Sequence, residues 1–222
     1  RAELVVASAT AAARLDALAL GDAVTLQLDE TEISRVVGFE FHRGCIAVLP
    51  RPRGGDAQLV ARMAARPNRV LALDRVVDPA NVGAIVRSAR AFATDLVLVG
   101  RGCGDPWSRR AVRASMGAVL EQPLLDDIDL VAALAHDPQL CWWAADAGGD
   151  ARALDQLTIP PRLGIVLGNE GQGISPALRE RAAVSVRIPI AAAVDSLNVA
   201  AAAAILLWHA RLHGAMQTST NS

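Results

Sequence analysis

Short apolar runs and helical segments alternate along most of the chain after residue 69. The runs are apolar throughout rather than at every second position, which is typical of parallel strands buried on both faces. The predicted strands are residues 70–73, 95–99, 140–144, 163–167 and 184–188. The predicted helices are residues 81–92, 107–119, 128–136, 176–183 and 197–212. This alternation predicts an α/β fold with a doubly wound parallel sheet, in which ligands bind at the carboxyl ends of the strands.

The first 56 residues are predicted to form a separate unit followed by a linker. Residues 24–28 and 45–49 have the pattern of strands, and residues 31–37 have that of a helix. Proline and glycine punctuate residues 50–56, which predicts the linker. We therefore expect a main domain over residues 57–214. Residues 215–222 are polar and are expected to form a mobile tail.

The composition excludes several classes of protein. Of 222 residues, 22 are basic and 23 acidic, so no global positive charge indicates nucleic-acid binding. All 22 basic residues are arginine, and without lysine neither a P-loop nor a Schiff-base mechanism is available. The three cysteines form no C-x-x-C pair, which favours a reducing compartment and hence a cytoplasmic protein. We expect no metal site, no signal peptide and no membrane span. Because the chain begins with arginine, we also expect a trimmed or partly disordered product.

Three polar motifs follow strand-like runs. The first is D-P-A-N-V-G-A-I-V-R-S at residues 78–88, the second is G-N-E-G-Q-G at 168–173, and the third is S-L-N at 196–198. The third motif follows the I-P-I sequence at 188–190 and opens a long apolar helix. Together, in this order, the motifs resemble those of the SpoU (TrmH-type) family of RNA ribose 2′-O-methyltransferases, in the SPOUT superfamily. The resemblance covers roughly residues 69–212.

The resemblance assigns catalytic residues to all three motifs. They are Asn81, Arg87, Glu170, Ser196 and Asn198. Because arginine stays protonated, we expect Arg87 to bind a phosphate and stabilise the developing alkoxide rather than to act as a base. Taken from residue types alone, Asn81 could lie near an N-cap, and Glu170 could belong to an ordinary turn. Asp195 or Ser196 could cap the last helix, but capping alone does not explain Asn198.

The same resemblance implies that S-adenosylmethionine (AdoMet) is the cofactor. Its expected contacts are Ala145, Leu167, Gly168, Asn169, Ile188 and Leu197. The chain departs from the family in two places. Ala145 lies in a stretch where many members have threonine, and Ala192 stands where they commonly have glycine.

The resemblance also implies a C-terminal trefoil knot, a homodimer formed through the knotted region, and RNA as substrate. The alanine-rich helix over residues 200–204, followed by Ile205, Leu206 and Trp208, offers an apolar surface for the dimer. The H-R-G-C-I-A sequence at 42–47 resembles the end of the L30e-like domain of many SpoU enzymes. Residues 1–56 are short for that domain, so we expect a partial L30e-like RNA-binding unit, which favours rRNA over tRNA.

Two alternatives remain open from the residues themselves. The G-R-G-C-G sequence at 100–104 follows a strand and resembles the glycine loop of a Rossmann-type methyltransferase, although Asp105 and Pro106 delay the helix that should follow. A non-catalytic RNA-binding accessory protein that retains the fold is the second alternative.

Overall fold

The structure, a computed structural model, describes residues 2–15, 22–52, 56–146, 148 and 150–219. Beyond residue 212, only the backbone is described. The chain divides into two compact units, Arg1–Arg53 and Gly54–Ser222.

The first unit contains a small mixed sheet. Its elements are β1 (Leu4–Ala7), α1 (Ala9–Leu15), β2 (Val24–Gln27), α2 (Glu30–Val37) and β3 (Cys45–Val48). Strand β1 lies in the centre, parallel to β2 and antiparallel to β3. A capping box between Asp29 and Glu32 fixes the start of α2. The helix then buries Ile33 against Val6 and Phe41, which gives the unit its own core.

The second unit contains a seven-stranded sheet. Its strands are β4 (Arg69–Leu73), β5 (Leu96–Gly100), β6 (Leu124–Ile128), β7 (Cys141–Ala145), β8 (Arg152–Ala153), β9 (Leu163–Leu167) and β10 (Val184–Arg187). Its α-helices are α3 (Asp56–Ala64), α4 (Pro79–Ala91), α5 (Arg109–Ala114), α6 (Leu130–Ala135), α7 (Pro176–Arg179) and α8 (Val199–Ser219). The strand order is β6-β5-β4-β9-β7-β10-β8, and each paired neighbour is parallel. The predicted parallel sheet is therefore confirmed.

Helices cover both faces of this sheet. On one face, α4 and α8 bury apolar side chains such as Ile85 and Leu206 in one core cluster. On the other face, α3, α6 and α7 contribute Met63, Leu134 and Leu178 to a second cluster. Burial on both faces explains why the strands are apolar throughout and confirms the doubly wound arrangement.

Two observed element boundaries differ from the predicted ones. The backbone of α8 is helical as far as Ser219, so the helix continues into the segment that we expected to form a mobile tail; no proline interrupts residues 215–219, and alanine, methionine and glutamine favour helix. Residues 220–222 lie outside the described part of the chain. Asp56, the last residue of the predicted linker, begins α3, while residues 53–55 are not described. None of the helices in the described ranges is both long and apolar enough to cross a membrane.

The strand order determines where a site can form. Strands β4, β9, β7 and β10 are consecutive neighbours in the parallel sheet, so their carboxyl ends meet along one edge. The loops that follow these four strands contain the three polar motifs. Parallel pairing thus gathers residues that are more than a hundred positions apart in the sequence.

Candidate active site

A cavity of about 230 Å³ opens at the carboxyl ends of β9, β7 and β10, beside the first turns of α8. Its lining includes each residue that we assigned to the cofactor, namely Ala145, Leu167, Gly168, Asn169, Ile188 and Leu197. Apolar side chains of α8, among them Ala202 and Leu206, complete the wall. The predicted residues therefore surround one space, although they come from four separate segments.

The loop over residues 168–173 forms one wall of the cavity. Reciprocal backbone hydrogen bonds close it, from Asn169 N to Gly173 O at 3.0 Å and from Gly173 N to Asn169 O at 2.9 Å. The Asn169 side chain accepts from the amides of Gly171 and Gln172, both at 2.9 Å, and donates to the Arg75 carbonyl at 2.9 Å. Because these bonds occupy both ends of the side-chain amide, Asn169 shapes the loop with its side chain, while its backbone N and O hold the loop closed.

Asn81, Glu170 and Asn198, one from each motif, meet beside the cavity. The Asn81 amide donates to Glu170 Oε1 at 2.7 Å, and its own oxygen accepts from Asn198 Nδ2 at 3.2 Å. Asn81 lies in the first turn of α4, which Asp78 caps by accepting from the Ala80 amide at 2.9 Å. The helix start thus places Asn81 between the other two residues.

Asn198 has a second contact that the sequence analysis missed. Its Oδ1 accepts from the amides of Ala200 at 2.9 Å and Ala201 at 3.4 Å, so Asn198 itself caps α8. Our suggestion that Asp195 or Ser196 could cap this helix was therefore wrong. One asparagine side chain fixes the helix start with its oxygen and contacts Asn81 with its nitrogen.

Of the other two predicted catalytic residues, both within the described part of the chain, neither hydrogen bonds to this trio. Ser196 is exposed and lines the cavity. Arg87 is exposed on α4, and the structure shows no hydrogen bond or ion pair from its guanidinium to any described residue. It lies six residues after Asn81, which in a helix is a rise of about 9 Å and a rotation of about 120° away from it. Among the described residues, Arg87 therefore does not join the trio.

Polar residues that the sequence analysis did not assign also surround the site. Buried Asp74 and half-buried Arg75, directly after β4, contact both the start of α7 and the loop over residues 168–173. Asp146, after β7, lines the cavity and forms an ion pair with Arg179 of α7 at 3.0 Å. The sequence signal that could have indicated Asp74 and Asp146 as site residues is an acidic residue directly after an apolar strand.

The glycine loop over residues 100–104 does not form the cavity. A Cβ on Gly104 would lie 2.7 Å from the backbone of both Val77 and Pro79, so this glycine permits close packing against the β4–α4 loop. Cys103 donates its Sγ hydrogen to the Leu73 carbonyl, and burial raises the pKa of this thiol to about 11. It is therefore a packed and unreactive thiol. The Rossmann interpretation of this loop was wrong.

Within the described ranges, no group of three or more histidine, cysteine, aspartate or glutamate residues is arranged to hold a metal ion.

Comparison with known proteins agrees with this architecture. The model of the SpoU rRNA methylase family matches residues 68–208. An uncharacterized tRNA/rRNA methyltransferase of Mycobacterium tuberculosis is 36% identical over 182 residues, which are 79% of this chain and 62% of that protein. A similar protein of Mycolicibacterium smegmatis is 34% identical over 187 residues, 82% of this chain and 59% of its own length. The chain thus spans about three fifths of the length of these relatives.

A solved structure shares the fold. The AdoMet-bound rRNA methyltransferase of Sinorhizobium meliloti superposes with a TM-score of 0.82 at 25% identity, and the match covers 96% of this chain and 80% of that one. The family match extends from β4 into α8 and so includes all three motifs and the cavity between them. This chain belongs to the SpoU rRNA methylase family.

Proposed function

We propose that the protein transfers a methyl group from AdoMet to a ribose 2′-hydroxyl of RNA, and of rRNA rather than tRNA. The observation that carries the proposal is the meeting of Asn81, Glu170 and Asn198 at the rim of the cavity. Three polar side chains from separate motifs lie together where a substrate could approach a cofactor in the cavity.

The lining of the cavity suits AdoMet in its apolar surface and its charge. Ile188, Leu197 and Leu206 provide apolar surface for an adenine ring, and Gly168 and Gly173, which have no side chain, bring backbone into the lining. Asp146 and Glu170 in the lining complement the positive charge of a sulfonium and an ammonium group. The rRNA methyltransferase of S. meliloti, which shares this fold, was solved with AdoMet bound. The residues present therefore fit this cofactor.

When bound, AdoMet supplies an activated methyl group that needs no metal. The contribution of the protein is to hold the ribose in line with that group and to stabilise negative charge on its oxygen. We assign the orientation of the ribose to Asn81 and Glu170, which hydrogen bond to each other. Ser196 borders the cavity and is assigned to the contact with the reacting hydroxyl.

We assign Arg87 to the RNA phosphate next to the reacting ribose. The side chain is exposed on α4, as phosphate binding requires, and arginine binds phosphate through two parallel hydrogen bonds. Arginine stays protonated, so its contribution to the reaction is electrostatic.

We further propose that the protein is a cytoplasmic homodimer that pairs through α8. Ile205, Trp208 and Leu212 of this helix are 37%, 52% and 42% exposed, a concentration of apolar surface that pairing would cover. Ala203 and Leu206 face the core of the same chain instead and are at most 1% exposed. A charge at Ala203 would therefore test folding rather than pairing, although the sequence analysis placed this residue in the apolar surface offered for the dimer.

Two finer features of the fold belong to this proposal. The order of the strands supports a C-terminal trefoil knot, because β10 enters the sheet between β7 and β8, which both precede it in the chain. The mixed sheet of the first unit, with helices α1 and α2, supports a partial L30e-like RNA-binding unit. Such a unit is the basis for preferring rRNA.

The test is a methylation assay with labelled AdoMet and rRNA or tRNA from a strain that lacks the protein. A 2′-O-methyl group blocks alkaline cleavage of the neighbouring phosphodiester, so gaps in the hydrolysis ladder locate it. We expect one such gap in rRNA. Label on a base would refute the ribose assignment, and label in tRNA alone would refute the substrate assignment. Binding of AdoMet and RNA without transfer would favour the non-catalytic alternative.

A further inference from the structure

Two adjacent residues at the carboxyl end of β4, Asp74 and Arg75, contact the loop that follows β9. This loop, residues 168–173, forms one wall of the cavity and carries Glu170 near its tip. Strands β4 and β9 are paired neighbours, and the Asp74 amide extends their ladder by donating to Leu167 O at 2.8 Å. The polar contacts of the two side chains therefore begin where the strand pairing ends.

Asp74 fixes the end of the loop. Its side chain is 9% exposed, and both oxygens are occupied: Oδ2 accepts from the Ser175 amide at 2.7 Å, and Oδ1 from Arg75 Nε at 3.2 Å. Ser175 is the N-cap residue of α7, but its hydroxyl makes no capping hydrogen bond. A buried carboxylate that accepts from a backbone amide is costly to remove. Asp74 thus holds the point at which the loop passes into α7.

Arg75 fixes the start and the middle of the loop. Its φ is +54°, in the left-handed region that residues other than glycine seldom adopt. Its carbonyl accepts from Asn169 Nδ2 at 2.9 Å. Its guanidinium donates to Gln172 Oε1 at 2.9 Å and to Gly173 O at 3.5 Å. The loop is therefore bound to β4 at both ends and along its length.

We propose that Asp74 and Arg75 are positioning residues, which hold the loop in the form that makes the cavity wall and directs Glu170 towards Asn81. Neither is expected to react with the substrate. This inference rests on the proposed function, because the loop is taken to bind AdoMet. A strained backbone conformation that persists beside a site is consistent with such a role.

The first experiment is a double-mutant cycle in AdoMet binding, measured by calorimetry. Arg75→Gly removes the guanidinium but accepts the left-handed backbone, so the melting temperature should change little. We expect this variant to bind AdoMet about tenfold more weakly, as for the loss of a charged hydrogen bond. Gln172→Ala should weaken binding about threefold. The double variant should bind like Arg75→Gly, because the two residues share one contact.

The matched control is Arg90→Ala, which removes an exposed arginine that pairs with Glu121 at the far end of α4. Its AdoMet affinity should equal that of the wild type. For Asp74, Asp74→Asn retains an oxygen for the Ser175 amide and should weaken binding less than Asp74→Ala. Wild-type affinity in Arg75→Gly, or fully additive losses in the double variant, would overturn the proposal.

Hydrogen exchange separates this inference from the proposed function. In the cofactor-free protein, Arg75→Gly should accelerate amide exchange at Gly171, Gln172 and Gly173, while Arg90→Ala should not. If the wild type binds no AdoMet but the exchange result holds, the proposed function fails and the positioning role remains. Unchanged exchange in Arg75→Gly would refute the positioning role, whatever the cofactor.

Discussion

Replacing Gly168 with alanine should deform the cavity wall, and the structure gives the size of the clash. A Cβ at this position would lie 2.3 Å from the Gly173 carbonyl carbon and 2.4 Å from Ile174 N. Both atoms belong to the backbone, so no side-chain rotation relieves the contact. The two ends of the loop at 168–173 must therefore move apart.

Overfilling a packed site costs about 1–3 kcal/mol. We expect Gly168→Ala to lower the free energy of unfolding by about 2 kcal/mol, because the strands behind the loop are buried and resist displacement. AdoMet affinity should fall at least about tenfold, since Gly168 and Asn169 line the cavity. The stability loss and the affinity loss share one cause.

Gly171 provides the matched control within the same loop. A Cβ there would have its nearest contact with Asn169 Oδ1 at 3.6 Å, an ordinary van der Waals distance. Gly171→Ala should therefore change the unfolding free energy by no more than about 0.5 kcal/mol and leave AdoMet affinity unchanged.

Urea unfolding followed by tryptophan fluorescence is the suitable assay, because all four tryptophans of the chain (107, 142, 143 and 208) lie in the second unit. Calorimetry with AdoMet then measures the affinity of each folded variant. Equal stability and equal affinity for the two alanine variants would refute the close-packing explanation of this loop.

Three other predictions concern catalysis, pairing and acid stability. Arg87→Ala should reduce methyl transfer by about 10²–10³ while AdoMet affinity stays within a few fold, because Arg87 is assigned to the RNA; near-normal turnover would exclude this role. Trp208→Glu should halve the mass found by light scattering, whereas the exposed control Leu120→Glu should leave it unchanged; a surviving Trp208→Glu dimer would place the interface elsewhere. The hydrogen bond from Arg162 at 2.6 Å lowers the pKa of Asp137 in the folded protein. The pair therefore stabilises the fold fully above the pKa of the unfolded chain, about 4. This stabilisation is lost as the pH falls through the lower pKa of the folded state. Asp137→Asn should therefore cost about 2 kcal/mol at pH 7 and progressively less on acidification, as urea unfolding at several pH values would measure; a cost independent of pH would refute the ionic explanation.

The strongly buried elements could be predicted from the sequence because their patterns are local. Strands β4, β5, β7, β9 and β10 are runs of apolar residues, and each prediction matched the observed strand to within one residue at either end. The sequence analysis predicted no strand at β6, where Asp126 and Asp127 interrupt the apolar run. The structure explains the first interruption, since Asp126 accepts from Trp107 Nε1 at 3.1 Å. That partner is 19 positions away and has no signature in the strand itself.

The sequence predicted which residues belong to the candidate site but not how they contact one another. The motifs and the family resemblance named Asn81, Glu170 and Asn198, yet only the structure showed that they form one hydrogen-bonded chain. The capping role of Asn198 was missed because the helix was expected to begin at residue 197, one position before its cap. Asp74 and Arg75 were missed because their partners lie on another strand.

Hydrophobic periodicity and motif order thus determined the class of fold, the family and the edge of the sheet where the site lies. These features depend on local backbone preference and on the need to bury apolar runs, both of which can be read along the chain. The order of the strands, the closure of the loop at 168–173 and the partners of each polar side chain depended on contacts between distant segments. Such contacts form only when parallel pairing brings β4, β9, β7 and β10 side by side, so the tertiary structure alone decided them.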